Sequence, residues 1–141
     1  MKKFRLFILI VITLFCFSGI WLSMKAGQQS PPYQYRSVLY PDAQILIPNF
    51  DTTDILRQFN TQPAGNLHLV APIGAVSDGD RILFRIRTVN KQHLVWHPGY
   101  DGTGDCTLPE VTSGSNHYDH FLIVYNEDNN RWVLLAKSFG E

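Results

Sequence analysis

The sequence has few of the features that commonly reveal a function. Only two cysteines occur; Cys16 lies inside an apolar run and Cys106 lies in the remainder of the chain, so we expect no intrachain disulfide. Lysines and arginines form no long basic run, and the 12 basic residues balance the 12 acidic ones. Nucleic-acid binding rests on clustered cations that neutralise phosphates, so the sequence predicts no nucleic-acid partner.

Motifs of metal sites are also missing. His93 and His97 form one pair of candidate ligands, and His117 and His120 form another. Residues four apart on a strand lie about 13 Å from each other, whereas a zinc ligand lies about 2 Å from the ion. We therefore predict no metal and interpret these histidines as polar residues of strand ends and loops.

No catalytic motif is recognisable either. Ser113, Ser115, His117 and Asp119 are close in sequence, but proximity in sequence does not make a hydrolytic triad. No nucleophile context or oxyanion hole accompanies them. We expect a protein that is not an enzyme and that has no cofactor.

The N-terminus contains a long apolar run at residues 6–22, which has no charged residue. As a helix these 17 residues would extend roughly 26 Å, close to the ~30 Å hydrocarbon core of a bilayer. Three basic residues precede the run and only Lys25 follows it, which predicts that the N-terminus is inside and the rest of the chain across the membrane. The predicted membrane-spanning residues include Leu6, Ile10, Leu14, Phe17 and Leu22.

A cleaved signal peptide is the alternative to this anchor. Signal peptides also combine a basic start with an apolar run, but that run is usually only about 7–15 residues long. Cleavage after Ala26 would place Met24 where a small side chain is preferred. We therefore favour an uncleaved signal anchor over residues 1–25.

Residues 26–41 have the composition of a linker. Pro31 and Pro32 favour extended geometry, which would hold the following domain away from the bilayer. Tyr33, Tyr35 and Tyr40 have two interpretations. They belong either to a strand or arm on the domain's own surface, or to an arm that contacts a partner.

Residues 42–141 alternate short apolar runs with turn residues, a pattern typical of an all-β domain. We predict a single antiparallel β-sandwich, jelly-roll-like, behind one N-terminal transmembrane helix. Residues 51–59 could instead form a helix of one or two turns. The predicted strands are 44–47, 55–59, 66–70, 81–88, 93–96, 119–125 and 132–136.

The strand at 81–88 has the clearest alternation. Ile82, Phe84 and Ile86 share one face and should be buried, while Arg85 and Arg87 share the opposite face and are candidate partner contacts. The last two strands should form a hairpin around residues 126–130. We expect that hairpin to offer Leu122, Val124, Trp132 and Leu134 to the core.

Several short motifs, taken in order, resemble a known module. From about Phe50 to Glu141 the chain is similar to a small β module of structural and tail-fibre-type proteins of tailed phages and large DNA viruses. The supporting motifs are residues 71–74, 78–86, Trp96, 108–109, 121–126 and 131–136. The resemblance implies a structural role without catalytic residues.

Together, the anchor, the linker and the resemblance predict a membrane-anchored viral structural protein, either a minor capsid protein or an envelope-associated one. Its β domain would contact other virion or capsid proteins at the interface between membrane and capsid, and a homo-oligomer is a further option. The alternative is an extracytoplasmic attachment module for ligands such as glycans, because five aromatic residues could stack on sugars: Trp96, Tyr100, Tyr118, Tyr125 and Trp132.

Overall fold

The computed structural model describes residues 34–141, in which Tyr35–Glu141 form one compact unit built only from strands and loops. Within these residues no helix is long and apolar enough to cross a membrane. The predicted span at residues 6–22 and Tyr33 lie outside the described residues. The strands are β1 Ser37–Tyr40, β2 Ile45–Leu46, β3 Ile55–Asn60, β4 Gly65–Leu69, β5 Arg81–Thr88, β6 Gln92–Trp96, β7 Tyr100–Gly102, β8 His117–Asn126 and β9 Arg131–Ser138.

All seven predicted strands are present, so the all-β prediction is confirmed for the described residues. The helical alternative for residues 51–59 is wrong, because β3 alternates buried and exposed side chains with the period of a strand. β7 was not predicted as a strand, and β1 corresponds to one of the two interpretations of the arm tyrosines, a strand on the domain's own surface. β1 occupies residues that the sequence assigned to the linker, and it pairs along its whole length with β3.

The strands form two sheets, a large one of mixed orientation and a small one in which both strand pairs are parallel. The large sheet has the order β1-β3-β5-β8-β9-β7, and the small sheet has the order β2-β4-β6. From β1 to β6 the chain passes back and forth between the sheets, so strands two apart in sequence become parallel neighbours. Only β5–β8 and β8–β9 pair antiparallel. The expected antiparallel, jelly-roll-like arrangement is therefore wrong, because alternation along a strand reports which face is buried and not the direction of its neighbour.

Both sheets contribute to one hydrophobic core. Ile82, Phe84 and Ile86 of β5 are fully buried, which confirms the predicted inner face of this strand. They share a cluster with residues of the small sheet such as Leu67 and Leu69. The ring of Phe84 meets Trp96 and Tyr100 edge-to-face at 6.3 and 6.4 Å between centroids.

Buried amide side chains secure the loops where the chain changes sheet. Gln58 Nε2 donates to the carbonyls of Pro41 at 3.0 Å and Ala43 at 2.8 Å, in the loop between β1 and β2. Gln92 Nε2 donates to the carbonyl of Pro63 at 3.0 Å, in the loop between β3 and β4. The Gln58 and Gln92 side chains are buried, so their amide N–H groups need acceptors, and the loop carbonyls at the corners supply them.

The last two strands form the predicted hairpin, but part of its predicted core is wrong. Trp132 and Leu134 of β9 are buried as expected. On β8, however, Phe121 and Ile123 are buried, while Leu122 and Val124 are half-buried on the opposite face. Both sets are apolar, so this segment lacks the alternation that would have identified its inner face.

Asp42 supports the first of these corners and should make stability depend on pH. Its carboxylate accepts hydrogen bonds from the Thr61 hydroxyl and, at 3.0 Å, from the Thr61 N–H. Both bonds lower the pKa of Asp42 below its ordinary 3.8, and the bond from the hydroxyl has the larger effect. A group whose pKa is lower in the folded than in the unfolded state stabilises the fold at pH values above its unfolded-state pKa. This stabilisation is lost as the pH falls through the folded-state pKa. We expect the midpoint difference between wild type and Asp42→Asn in urea unfolding to be largest near neutral pH and to shrink below about pH 4. A difference that did not change with pH would contradict this assignment.

Candidate functional site

The outer face of the large sheet brings together the two arginines singled out in the sequence and a third one. Arg85 and Arg87 point away from the core on β5, because Ile86 between them is buried. In the parallel register Arg57 of β3 lies directly beside Arg85. On the other side, His120 of β8 is opposite Arg85 in the antiparallel register. Three strands thus place three arginines and a histidine on one surface.

Aromatic rings hold two of these arginines in place. The Arg85 guanidinium carbon lies 4.4 Å from the centroid of the Tyr118 ring. The Arg87 guanidinium carbon lies 5.0 Å from the Phe59 centroid and 5.4 Å from the Tyr118 centroid. Tyr118 in turn stacks on His120. These contacts are cation–π interactions, which restrict each guanidinium without using its N–H donors. We call the surface formed by Arg57, Phe59, Arg85, Arg87, Tyr118 and His120 the arginine face.

The arginine face carries positive charge that the described residues do not neutralise. Within residues 34–141, Arg57, Arg85 and Arg87 form no ion pair. Glu141 lies at the margin of the face, with its Oε2 3.7 Å from Nδ1 of His120. The same residues contain 8 basic and 12 acidic side chains. The face is therefore a cationic surface on a domain with an excess of acidic residues.

The arginines also keep most of their hydrogen-bonding capacity. Arg87 Nε donates to the carbonyl of Asn116 at 3.1 Å. Within the described part of the chain, the guanidiniums of Arg57 and Arg85 donate no hydrogen bond. A guanidinium has five N–H donors in a planar fork that matches a carboxylate or phosphate. The chemistry available on this face is the recognition of oxyanions.

Replacing Arg57 should stabilise the fold, because Arg57 and Arg85 are like charges in directly adjacent positions. For Arg57→Gln we expect a free energy of unfolding higher by about 0.2–1 kcal/mol at low salt. Salt screens exposed charges, so the gain should shrink near 1 M salt. Denaturant unfolding at both salt concentrations measures this, with Arg131→Gln as a control outside the face. A loss of stability at low salt would mean that Arg57 has a stabilising partner.

The tyrosines that the sequence placed in the N-terminal arm differ in exposure and contacts. Tyr35 is 68% exposed. The Tyr40 hydroxyl accepts a hydrogen bond from the Asn49 N–H at 3.1 Å, and its ring packs against the core. Tyr40 thereby ties β1 to the domain, as the interpretation of a strand on the domain's own surface requires.

Ser113 and Asp119, two of the residues considered for a triad, are in direct contact. The Ser113 hydroxyl and N–H donate to the fully buried Asp119 carboxyl at 2.5 and 2.8 Å, and the Gly140 N–H donates to it at 3.3 Å. His117 is exposed and is not among these partners. The pair holds the segment before β8 and the C-terminal residues against the sheet, which is a structural use of this carboxyl.

The histidines do not come together as a metal site. His93 is exposed on β6, and His97 Nδ1 accepts a hydrogen bond from the Gly99 N–H at 3.0 Å. Within residues 34–141, no group of three histidine, cysteine, aspartate or glutamate side chains is placed to hold an ion.

The sequence indicated Arg85 and Arg87, and Tyr118 only as one of the aromatic residues that could stack on sugars; Arg57 and Phe59 were missed. The alternation of β3 contained a signal, because Leu56 and Gln58 point inward and so place Arg57 and Phe59 outside. Their position beside β5 follows from the parallel register, which the sequence did not indicate.

Comparison of the chain with known protein families, with curated proteins and with solved structures finds no match in any of the three.

Proposed function

We propose that the chain is a membrane-anchored structural protein of a virion, without enzymatic activity, whose β domain contacts other virion proteins through the arginine face. The apolar segment at residues 6–22 serves as the anchor, with the N-terminus inside and the domain across the membrane. This location suits a minor capsid or envelope-associated protein at the interface between membrane and capsid.

The observation that carries the proposal is the uncompensated charge of the arginine face. Adjacent strands usually place opposite charges or apolar pairs side by side, and like charges there are destabilising. Arg57 and Arg85 break this rule on two neighbouring interior strands of the sheet. Features that oppose stability are expected at functional sites, so the face is better explained by a partner than by folding.

Site-specific photo-crosslinking in virus-producing cells tests this function. A photoreactive benzoylphenylalanine is introduced at Phe59, which is 43% exposed on the arginine face. The matched control carries the same group at Phe139, which is 44% exposed and packs on Phe121. We expect crosslinks to other virion proteins from position 59 and few from position 139. Mass spectrometry of the same particles should find an intact N-terminal peptide through Lys25.

Two results would overturn the proposal: absence of the chain from purified virions, or equal crosslinking from both positions. A mature N-terminus near Ala26 would instead favour the extracytoplasmic attachment module. That alternative requires aromatic rings that are accessible to sugars, and two of the candidate rings instead pack in the core. Trp132 and Tyr100 are buried in the core. Glycan binding therefore has less support than protein contact.

A further inference from the structure

The arginine face has the chemistry of a receptor for carboxylates. We propose that it binds an extended acidic segment of a partner protein, whose carboxylates accept paired hydrogen bonds from Arg57, Arg85 and Arg87. This inference rests on the proposed function and adds the chemical class of the partner segment. The guanidiniums of Arg85 and Arg87 are already oriented by their rings, so little side-chain freedom would be lost on binding.

The spacing of the arginines fits an extended peptide. Arg85 and Arg87 are two residues apart on one strand, which separates their Cα atoms by about 6.6 Å. Carboxylates at alternate positions of an extended chain have the same spacing. Arg57 lies beside Arg85 on the neighbouring strand, about 4.8 Å away, and can bind the same carboxylate from the side.

The distribution of charge favours an acidic segment over other occupants. A second copy cannot place its own arginine face here, because like charges would meet. A short acidic segment can place its few charges on the arginine face alone, whereas the phosphates of an anionic bilayer or a nucleic acid extend beyond the face and would also meet the acidic residues of the described part, which outnumber the basic ones 12 to 8. The rings of Tyr118 and Phe59 each contact a guanidinium already, which reduces the ring surface left for stacked bases.

Peptide binding to the full-length chain in non-ionic detergent tests the inference. The probe is a fluorescent peptide of alternating threonine and glutamate, and its matched control has glutamine in place of glutamate. We expect saturable binding of the glutamate peptide only. Arg85→Gln and Arg57→Gln should each weaken it about tenfold or more, whereas Arg131→Gln, which removes a charge beside Asp101, should change affinity less than about twofold.

Arg57→Gln keeps the test independent of folding, because we expect this variant to be at least as stable as wild type. Equal binding of both peptides, or equal loss in Arg131→Gln, would overturn the inference. Preferential binding of phosphatidylserine vesicles or single-stranded RNA through the same arginines would also overturn it. If the peptide does not bind while position 59 crosslinks to virion proteins, the acidic segment is wrong and the proposed function stands. If no virion protein is crosslinked, the proposed function fails whatever the peptide does.

Discussion

Phe84→Ala should lower the free energy of unfolding of the β domain by about 3–5 kcal/mol. Phe84 is fully buried on β5, the strand between β3 and β8, and its ring contacts Trp96 and Tyr100. Truncation would leave a cavity among rings that a change of rotamer cannot fill. Domains of this size are stable by only about 5–15 kcal/mol, so a large part of the stability would be lost.

Urea unfolding followed by tryptophan fluorescence measures this change, because Trp96 lies beside Phe84. Phe59→Ala is the matched control on the neighbouring strand, since Phe59 is 43% exposed and loses mainly its contact with Arg87. We expect the control to lose about 1 kcal/mol or less. Comparable losses in the two variants would show that the core is not where the structure puts it.

Asp119→Ala should have the second-largest effect, a loss of roughly 2–4 kcal/mol. The Asp119 carboxyl is fully buried and accepts hydrogen bonds from Ser113 and Gly140. Alanine would remove all of these hydrogen bonds at once and leave the half-buried N–H and hydroxyl of Ser113 without this partner, which costs more than the loss of the bonds alone. The segment ending at Ser113 also hydrogen-bonds to the outer edge of β6, through Thr112 N–H to Gln92 O at 3.0 Å.

Amide hydrogen exchange provides a local readout for this prediction. In Asp119→Ala we expect faster exchange at Thr112, before global unfolding, because its segment loses one of its attachments. Ser113→Ala removes only the hydroxyl donor and should lose about 1 kcal/mol. If Ser113→Ala is as damaging as Asp119→Ala, then the backbone contacts of the carboxyl contribute little.

The sequence predicted strand positions well because burial alternates along most strands. Ile82, Phe84 and Ile86 identified β5 and also its outer arginines. β7 was missed because it has three residues and ends at Gly102. β8 was found but given the wrong inner face, since Leu122 and Val124 are as apolar as Phe121 and Ile123.

The pairing of the strands could not be predicted in the same way. Periodicity describes one strand at a time, whereas the arginine face depends on Arg57 meeting Arg85 across a parallel pair that is 28 residues apart in sequence. The passage between sheets depends on Gln58 and Gln92, whose amides bind loop carbonyls that are distant in sequence. A buried glutamine inside a strand gives no sign of which loop it will hold.

The winding of the chain between its two sheets has a consequence for the time course of synthesis. Ser37 pairs with Ile55, which is synthesised 18 residues later, and Arg81 pairs with Val124, which is synthesised 43 residues later. Only the β8–β9 hairpin is local, with Asn126 opposite Arg131. Such distant pairings make folding slow, in milliseconds to seconds. Because β7 joins the large sheet only through β9, most of the domain must leave the ribosome before that sheet can be completed. A ribosome paused before β8 would therefore present an unfinished edge at β5, open to chaperones.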